Sequence, residues 1–478
     1  MSPISEVTAA LPAFLQAQRW FGGKSRALAG VTLLDHVWLQ EAATPDFLAF
    51  IEVAYTDAPA EQYCLWLGIR DTADGTPVAG RTATGRLFVD VSTNPGSASI
   101  LLRRLAARVD VPTAEGGALR FGDVTAHAVE ILREPPETRA VGADQSNTSL
   151  AIGRALVFKL FRRIQPGENP EVEVCRFLTN WTSFRGFAPL HGSVAYARPD
   201  GTTCAIGVLQ AFVQNSGDGW QYVQRRLLGE LDRPGSWDTR RDDLLALGAI
   251  TAGFHRASAS DSTVPSFAPA PIAAQDIIGW VAAVRDHAAT AVGRIRDARL
   301  TNDEAARLAR ALTRVAATDA PLLPAATGPG ATLHAIRIHG DYHLGQTLKT
   351  PSGFILIDFE GEPARPIEDR RRKQCALKDV AGMLRSFEYA LAAACEGAPD
   401  RVDAMRDSLS MAPVFLEGYF STPGMEGSVF LPSDPAARLQ WLRFFELEKA
   451  LYELDYELNN RPDWAHIPAR GLMRILDA

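Results

Sequence analysis

The sequence predicts an α+β fold in which a strand-rich region precedes a helical one. Up to about residue 213, short segments alternate apolar and polar residues, which is the two-residue period of a half-buried β-strand. From about residue 214 onward, apolar residues instead recur every three or four positions, as they do in amphipathic helices. Inside this helical region an acidic residue, Asp358, ends a short apolar run. With 478 residues, the chain should hold two to three domain-sized units.

Charge and composition argue against several classes of protein. Lysine and arginine total 49 against 56 aspartate and glutamate residues, and the net charge of −7 argues against a nucleic-acid-binding protein. No apolar run is long enough to span a membrane, and Met1–Glu6 lacks the basic and apolar regions of a signal peptide. We therefore expect a cytoplasmic monomer or dimer without a membrane partner. The five cysteines lack the spacing of a zinc site or a disulfide framework.

Residues 1–90 are expected to form a small unit of strands with one short helix, Leu11–Gln18. Strands are predicted at Phe47–Val53 and Gln62–Leu67. Between the helix and these strands, Arg19–Arg26 reads RWFGGKSR. Three basic residues around two glycines could bind phosphate, but a turn whose aromatic residues anchor a small sheet is the interpretation we favour.

Residues 91–213 carry the features expected of a nucleotide-binding sheet. The predicted strand Ala155–Phe161 holds Lys159 among apolar residues, and a buried lysine needs an anion nearby. An Asn-Pro pair then predicts the start of a helix with two acidic residues in its first turn. Glu173 is the first choice as the partner of Lys159, and Glu171 is the second. The alternative is that both carboxylates only stabilise the helix terminus.

Two neighbouring segments are further candidates for nucleotide contacts. A polar loop before this strand offers hydroxyl, amide and backbone N–H groups to phosphate oxygens, through Ser146, Asn147, Thr148 and Ser149. The strand predicted from Thr203 to Phe212 leads into a Gly/Asn/Ser segment that is typical of a hinge between two lobes. The adenine ring is therefore expected to bond to backbone groups near Gln210, Ala211, Phe212 and Val213.

The most informative stretch is Arg337–Gln346 with the apolar run that follows it. Asp341 and Gln346 have the spacing of the Asp and Asn in the kinase H-R-D-x-x-x-x-N loop, and Asp358 follows its apolar run as the D-F-G aspartate does. We interpret Asp341 as the base that takes the acceptor proton, and Gln346 and Asp358 as oxygen ligands of Mg²⁺. A hairpin whose acidic residues only cap loops is the alternative, but it leaves the kinase spacing unexplained.

The predicted helix Glu446–Asn459 is the candidate for recognising the phosphoryl acceptor. Its leucines form one face at helical spacing, and that face should be buried in the core. A second, polar stripe consists of Glu448, Tyr452, Asp455 and Asn459, and Trp464 follows the helix. Carboxylates, amides and an aromatic ring are suited to sugar hydroxyls and to stacking on a pyranose face. The alternative is an ordinary exposed helix face.

Six segments together resemble the actinobacterial maltokinase family, and more closely its glucosamine kinase members. They are Arg19–Arg26, His339–Gln346, Asp358–Pro366, Arg370–Lys373, Asp379–Ser386 and Glu448–Trp464. The resemblance extends over nearly the whole chain. It implies a bilobed fold related to aminoglycoside phosphotransferases and eukaryotic-type kinases. Its expected parts are an N-terminal cap subdomain (1–90), a β-rich intermediate subdomain or N-lobe that binds nucleotide (91–213), and a helical C-lobe (214–478).

The resemblance also implies a reaction and assigns residues to it. ATP and Mg²⁺ would serve phosphoryl transfer to a sugar hydroxyl. Asp341 would be the base and Lys159 the phosphate-binding lysine. The metal ligands would be Gln346 and Asp358 with Glu360 as a helper, His343 would join the acceptor side, and Asp379 would brace the catalytic loop.

Departures from the family pattern suggest the acceptor. The maltokinase motif reads closer to VYEVVYEARNRPxW, whereas this chain adds Asp455 and Asn459 to the polar stripe. An added carboxylate suits the ammonium group of glucosamine better than neutral maltose. Phosphorylation of glucosamine to glucosamine 6-phosphate is therefore the first hypothesis, and a maltokinase that makes maltose 1-phosphate is the second. An aminoglycoside phosphotransferase, or a catalytically inactive binding protein of kinase fold, is the third.

Overall fold

The chain forms two compact units. The computed structural model describes residues 6–40, 43–142, 147–235, 237, 241–318, 333–363, 365–396 and 398–477. Unit 1 comprises Met1–Asn180 and Ala188–Gln214, and unit 2 comprises Trp181–Phe187 and Asn215–Ala478. The main division thus follows Gln214, one residue from the predicted limit at 213. Across the described ranges, no helix combines the length and the apolar character that a membrane crossing requires.

Unit 1 is built mainly from strands, as the alternating pattern predicts. Its strands are β1 (Leu28–Gln40), β2 (Asp46–Tyr55), β3 (Glu61–Arg70), β4 (Val78–Arg81), β5 (Leu87–Asp90), β6 (Val111–Pro112), β7 (Ala118–Gly122), β8 (Thr138–Val141), β9 (Thr148–Ile152), β10 (Leu156–Leu160), β11 (Arg163–Ile164), β12 (Leu190–Ala197) and β13 (Thr203–Ala211). Its helices are α1 (Leu11–Ala17), α2 (Pro95–Ala107), α3 (Ala126–Arg133) and α4 (Pro170–Trp181), the last ending at the boundary of the unit.

Two antiparallel sheets organise unit 1. The first has the order β1-β2-β3-β5-β4, with β11 paired to β3, and the second has the order β6-β7-β12-β13-β10-β9-β8. Strand β11 therefore ties the first ninety residues to the following region. A shared apolar core reinforces this link, since residues of the first sheet such as Trp66 pack with Phe158 and Leu209 of the second. Both sheets thus fold around one continuous core.

The segment Arg19–Arg26 supports the structural interpretation over the phosphate-binding one. Phe21 is buried, and its ring lies 5.3 Å from that of Tyr63 on β3. Arg26 pairs with Glu61 at 3.0 Å instead of facing solvent alone. A side chain at Gly23 would collide with Tyr55, which accounts for a glycine at this position. The segment therefore anchors the first sheet.

Unit 2 is mainly helical, again as predicted. Its helices are α5 (Gly219–Asp232), α6 (Arg241–Ser258), α7 (Ala274–Arg294), α8 (Asn302–Ala317), α9 (Ile367–Arg370), α10 (Leu377–Ala394), α11 (Pro399–Leu409), α12 (Met411–Ser421), α13 (Pro435–Asn460) and α14 (His466–Asp477). Unit 2 also has two antiparallel strand pairs, β14 (Ala270–Pro271) with β15 (His334–Ala335), and the hairpin of β16 (Thr347–Thr350) with β17 (Gly353–Leu356).

Helices α6 and α12 cross at close range because each presents a glycine to the other. A methyl group on Gly248 of α6 would collide with the backbone of Phe415, and one on Gly418 of α12 would collide with the backbone of Leu245. This crossing places His255 of α6 against Tyr419 of α12, with 2.8 Å between His255 Nδ1 and the Tyr419 hydroxyl. The pair belongs to the support of the catalytic loop described below.

We predict that Gly418→Ala destabilises the protein by about 1–3 kcal/mol, because the added methyl forces the two helices apart. Chemical denaturation followed by circular dichroism measures this change. Gly229→Ala is the matched control, since Gly229 lies in α5 with nothing within 4 Å of an added methyl. That substitution should stabilise the helix by about 0.5–1 kcal/mol. Equal effects for the two variants would contradict the proposed steric role.

Candidate active site

The backbone of the catalytic loop is held by one buried carboxylate, Asp379, in the first turn of α10. Asp379 Oδ2 accepts a hydrogen bond from the His339 N–H at 2.7 Å, and Oδ1 accepts one from the Gly340 N–H at 3.0 Å. His255 Nε2 lies 3.0 Å from Oδ2 as a third partner. Burial raises the pKa of Asp379, but the interactions with His255 and His339 and the hydrogen bond from the Gly340 N–H together lower it by more, so the net pKa is below the ordinary value. Asp379 therefore remains ionised and fixes the two residues that precede Asp341.

The loop is also joined to the acidic strand end that the sequence indicates. His339 Nε2 lies 2.9 Å from the Ile357 carbonyl oxygen, and the Ile357 N–H donates to the Gln346 carbonyl at 3.0 Å. Asp358 has a φ of 66°, in the left-handed region that a non-glycine residue rarely adopts. Gln346 and Asp358 are therefore neighbours in unit 2. Glu360 lies 4.0 Å from the Arg370 guanidinium, which places the predicted metal helper beside a cation.

Two basic side chains flank the Asp341 carboxylate. His343 Nε2 lies 4.0 Å from Oδ2, and Lys449 Nζ, from α13, lies 3.8 Å from Oδ1. Burial lowers the pKa of His343 by more than the charge of Asp341 raises it. Burial also lowers the pKa of Lys449, but the charges of Asp341, Glu453 and Glu362 raise it by more. At neutral pH, His343 is thus uncharged and Lys449 is a cation.

A cavity of about 720 Å³ within unit 2 opens onto Asp341. We call it the acceptor pocket. Its ionisable and aromatic lining groups are Trp220, Asp341, His343, Glu362, Tyr389, Lys449, Tyr452, Glu453, Tyr456, Glu457, Arg461 and Trp464. Four carboxylates thus face two permanent cations and a histidine. Such a pocket has the volume of a small-molecule site and favours a ligand that carries hydroxyl groups or a positive charge.

The structure brings together only part of the predicted polar stripe of α13. Tyr452 and Trp464 line the acceptor pocket with Asp341 and His343. Asp455 and Asn459 do not line it, because both bond to Arg294 of α7, at 2.6 Å and 3.0 Å. Glu448 pairs with Lys378 at 3.0 Å and lines a smaller adjacent cavity that also reaches Asp341. The prediction that Asp455 and Asn459 belong to the acceptor site is therefore corrected.

The pocket face of α13 lies about one residue step, roughly 100°, around the helix from the predicted stripe. It presents Lys449, Tyr452, Glu453, Tyr456 and Glu457, at steps of three, four, seven and eight residues from Lys449. Apart from Tyr452, the sequence did not predict this set, because both stripes are polar and both have helical spacing. The repeated Tyr-Glu pair was the available signal, since two carboxylates with aromatic neighbours on one face are unusual on a solvated helix.

Most of the pocket carboxylates are already held by neighbouring side chains. Glu457 accepts both guanidinium bonds of Arg461, at 2.9 and 2.6 Å, and one from the Tyr389 hydroxyl at 3.0 Å. Glu453 Oε2 accepts from buried Arg385 Nε at 2.8 Å. These contacts keep two negative charges fixed before any ligand arrives.

Glu362 differs from these two residues. Its Oε2 accepts from Arg365 Nε at 2.5 Å, whereas its buried Oε1 accepts no hydrogen bond from the described residues. Burial raises the pKa of Glu362, but a hydrogen-bond interaction with the Tyr452 hydroxyl and the charges of Lys449 and Arg365 lower it by more. A buried, ionised acceptor with a vacant lone pair is suited to a donor from a ligand.

In unit 1, Lys159 pairs with Glu171, which the sequence suggested as the second choice of partner. Lys159 Nζ donates to Glu171 Oε2 at 2.8 Å, and both side chains are buried. The expected N-cap forms, since Asn169 Oδ1 accepts from the Glu171 N–H at 2.8 Å. Glu173, the first choice, lies in the same turn of α4 and is also buried. Both acids satisfy the same sequence criterion, and a role for Glu173 beside Lys159 stays a prediction.

The predicted phosphate loop is only partly described. Ser146 lies outside the described residues. Asn147 Oδ1 accepts from the Arg162 N–H at 3.4 Å, and Thr148 Oγ1 accepts from Arg162 Nε at 2.9 Å. Thr148 and Ser149 begin strand β9, where Ser149 lies opposite Lys159. The phosphate-binding roles of these residues stay predictions, and the described contacts show Asn147 and Thr148 already engaged with Arg162.

Strand β13 narrows the candidates for adenine contacts. The Ala211 N–H donates to the Pro189 carbonyl at 3.0 Å, and the Phe212 N–H donates to the Ala155 carbonyl at 2.8 Å. The Gln210 amide points to Cys175, with 3.2 Å between its nitrogen and the sulfur. The N–H groups of Ala211 and Phe212 are thus occupied. Val213 and the remaining backbone carbonyls stay predictions.

Comparison with known proteins identifies the N-terminal region. A family model for the maltokinase N-terminal cap domain matches residues 14–89. This chain has a maltokinase-type N-terminal cap domain. The matched residues run from within α1 to within β5.

Beyond the cap, the chain is similar to glucosamine kinases. It is 26% identical to a glucosamine kinase of Mycolicibacterium smegmatis over 343 residues, which cover 71% of this chain and 79% of that protein. It is also 26% identical to a glucosamine kinase of Streptacidiphilus jiangxiensis over 352 residues, covering 71% of this chain and 73% of that protein. The predicted resemblance to the maltokinase-like family and its glucosamine kinase members is confirmed.

Solved structures confirm the fold. A glucosamine kinase in complex with glucosamine, ADP and inorganic phosphate superposes with a TM-score of 0.66 at 22% identity, covering 99% of each chain. A second crystal form of a glucosamine kinase gives a TM-score of 0.69 at 21% identity, again covering 99% of each chain. The predicted α+β kinase-like fold with an N-terminal cap is therefore correct. The comparisons also support the predicted class, an ATP-dependent sugar kinase.

We predict that Asp379→Asn lowers the free energy of unfolding by about 1–3 kcal/mol at pH 7, because the amide leaves one loop N–H without an acceptor. The pKa of Asp379 is lowered on folding, so its ionisation stabilises the fold above the unfolded pKa, about 3.9, and this contribution is lost as the pH falls through the folded pKa. The difference between wild type and variant should therefore shrink between pH 7 and pH 3 in urea titrations. Asp369→Asn, at a half-exposed acid 3.9 Å from Arg372, is the control and should change stability little at either pH.

Proposed function

We propose that the protein transfers the γ-phosphate of ATP to glucosamine, giving glucosamine 6-phosphate and ADP. The observation that carries this proposal is the acceptor pocket. It combines the braced Asp341 with three further carboxylates in the lining of one cavity, which has the volume of a small-molecule site. The kinship of the chain to glucosamine kinases supports the same acceptor.

Asp341 is the proposed base. Its loop is held at two backbone N–H groups by Asp379, so its carboxylate has a defined direction while it remains within reach of the pocket. A sugar hydroxyl in the pocket gives its proton to Asp341 as its oxygen forms a bond to the γ-phosphorus and the bond to ADP breaks. Positioning supplies most of the rate enhancement, and general-base catalysis supplies about 10²–10⁴-fold.

Gln346 and Asp358 are the proposed Mg²⁺ ligands. Their oxygen atoms are the donor types that Mg²⁺ prefers, and the Ile357–Gln346 hydrogen bond makes the two stretches adjacent. When bound, the ion would neutralise charge that develops on the nucleotide phosphates. In unit 1, the buried Lys159–Glu171 pair offers an ammonium group, and the family resemblance implies a phosphate-binding role for Lys159.

The acceptor amine is proposed to meet Glu362. Because Oε1 of Glu362 is ionised, buried and without a described donor, an ammonium group would supply the missing hydrogen bond. Glu453 and Glu457 also line the pocket. Trp464 and Tyr389 contribute a stacked aromatic pair to its lining, with ring centroids 6.3 Å apart. Selection of an amino sugar is therefore assigned to residues that line the pocket, and not to Asp455 and Asn459.

Maltose is the second candidate acceptor, and the cap domain favours it. The family model that matches residues 14–89 is that of maltokinases. The Tyr-Glu pairs, Arg461 and Trp464 also occur in the maltokinase motif, so these residues alone do not select an amino sugar. A turnover assay decides between the two acceptors.

The deciding assay measures ADP release with ATP and Mg²⁺ in the presence of glucosamine, N-acetylglucosamine, glucose, maltose or kanamycin. We expect the highest kcat/KM with glucosamine. Asp341→Asn should remove nearly all turnover while ATP still binds. The highest kcat/KM with maltose would assign the protein to the second function, and wild-type turnover by Asp341→Asn would remove Asp341 as the base.

We predict that Glu362→Gln lowers kcat/KM for glucosamine about tenfold more than kcat/KM for glucose. The substitution keeps the shape of the side chain but removes the charge that an ammonium group would meet, and tenfold corresponds to about 1.4 kcal/mol. Asp455→Asn is the matched control, because Asp455 lies on α13 outside the pocket and pairs with Arg294. It should change both values less than about twofold. Equal losses for the two sugars in Glu362→Gln would contradict the assignment of the amine to Glu362.

A further inference from the structure

Lys449 has no assigned role in the reaction, yet it is the closest permanent cation to the proposed base. Within the described part of the chain, the Asp341 carboxylate has two basic side chains within 4.0 Å, and these are His343 and Lys449. His343 Nδ1 accepts the Gly345 N–H at 3.1 Å, so neutral His343 carries its proton on Nε2 and contributes a dipole. Lys449 alone brings a full positive charge to this position.

The surroundings of Lys449 keep its ammonium group charged and fixed. Its Nζ lies 5.0 Å from the centre of the Tyr452 ring, and the side chain is about one-third exposed. It lines both cavities that meet at Asp341, together with Glu362 and Tyr452. The pKa of Lys449 is raised on balance by the neighbouring carboxylates. A lysine in this setting meets an anion and does not serve as a base.

Phosphoryl transfer brings such an anion to Asp341. The acceptor hydroxyl must lie within hydrogen-bond reach of the Asp341 carboxylate, and the transferred group, with charge on three oxygens, lies one bond beyond that hydroxyl. The carboxylate repels this charge. A cation within 4 Å of the carboxylate offsets the repulsion most strongly when the phosphoryl group is between donor and acceptor.

We propose that Lys449 is a further catalytic residue that contacts the phosphoryl group during its transfer and neutralises its charge beside Asp341. The proposal rests on the function proposed above. The acceptor oxygen gains the bond to phosphorus, the bond to ADP breaks, the acceptor proton passes to Asp341, and Lys449 keeps its protons throughout. The positive charge thus comes from Lys449 on α13, a helix that also lines the acceptor pocket. The cation is therefore in place whenever the acceptor pocket is formed.

Lys449→Met tests this role, since methionine keeps the unbranched stem and removes the charge. We expect kcat with glucosamine to fall about 100-fold or more, as when one donor to a transition-state anion is removed. KM for glucosamine and the Kd for ATP should change less than about threefold. Lys449→Arg, which keeps the charge, should regain about tenfold of the lost kcat. Arg294→Met is the control, because Arg294 is a cation that also contacts α13 but bonds to Asp455 outside the pocket, and its kcat should stay within about twofold of wild type.

A transition-state analogue separates catalysis from structural support. ADP with Mg²⁺, aluminium fluoride and glucosamine should inhibit wild type strongly, and Lys449→Met should weaken this inhibition by the same factor as kcat. A loss confined to KM for glucosamine would overturn the proposal and make Lys449 an acceptor-binding residue. Unchanged kcat together with lower thermal stability would overturn it in favour of a structural role. Failure of the proposed function would be visible separately, as a wild-type enzyme that releases no ADP with glucosamine.

Discussion

The hydrogen bonds that Asp379 accepts from the catalytic loop are the constraint on which the rest of the site depends. A buried carboxylate is costly unless donors surround it, and Asp379 is surrounded by two backbone N–H groups and His255. If His255 donates through Nε2, its Nδ1 accepts from the Tyr419 hydroxyl, which extends the network to α12. The close crossing of α6 and α12 is what brings these two side chains together. The position of Asp341 therefore depends on packing between helices that contribute no reacting group.

Two elements with charges of opposite sign set the electrostatic environment of Asp341. The catalytic loop contributes a carboxylate beside a neutral histidine, and α13 contributes a lysine among carboxylates. The charges of either element would cost free energy in a partly buried cavity if the opposite charges of the other element were missing. Together they form a pocket that is negative overall but positive next to the base. This arrangement suits an acceptor with a positive charge at one end and a reacting hydroxyl at the other.

The sequence predicted the fold well because the fold follows from local patterns. Residue spacing along one loop and one strand end also led to the predictions for Asp341, Gln346 and Asp358, and the structure joins the backbone beside Asp358 to Gln346. The pocket face of α13 was not predicted, since rotating a polar helix by one residue changes which stripe faces the cavity and leaves the periodicity unchanged. The sequence could not rank Glu171 and Glu173 for a related reason. Both lie in the first turn of α4, and the position of that helix against β10 brings Glu171 to Lys159.

Whether each pocket carboxylate already has a hydrogen-bond partner says more about the choice between neutral and amino sugars than the number of carboxylates does. Glu457 and Glu453 are held by Arg461 and Arg385, so a neutral sugar that lies beside them leaves no buried charge unpaired. Glu362 Oε1 is different, because a ligand that excludes water without donating to it leaves an ionised oxygen unsatisfied. Such a penalty discriminates between ligands more strongly than an added attraction does. Selection of an amino sugar would then rest on one vacant acceptor beside the base, with the other carboxylates holding the pocket in the shape that presents it.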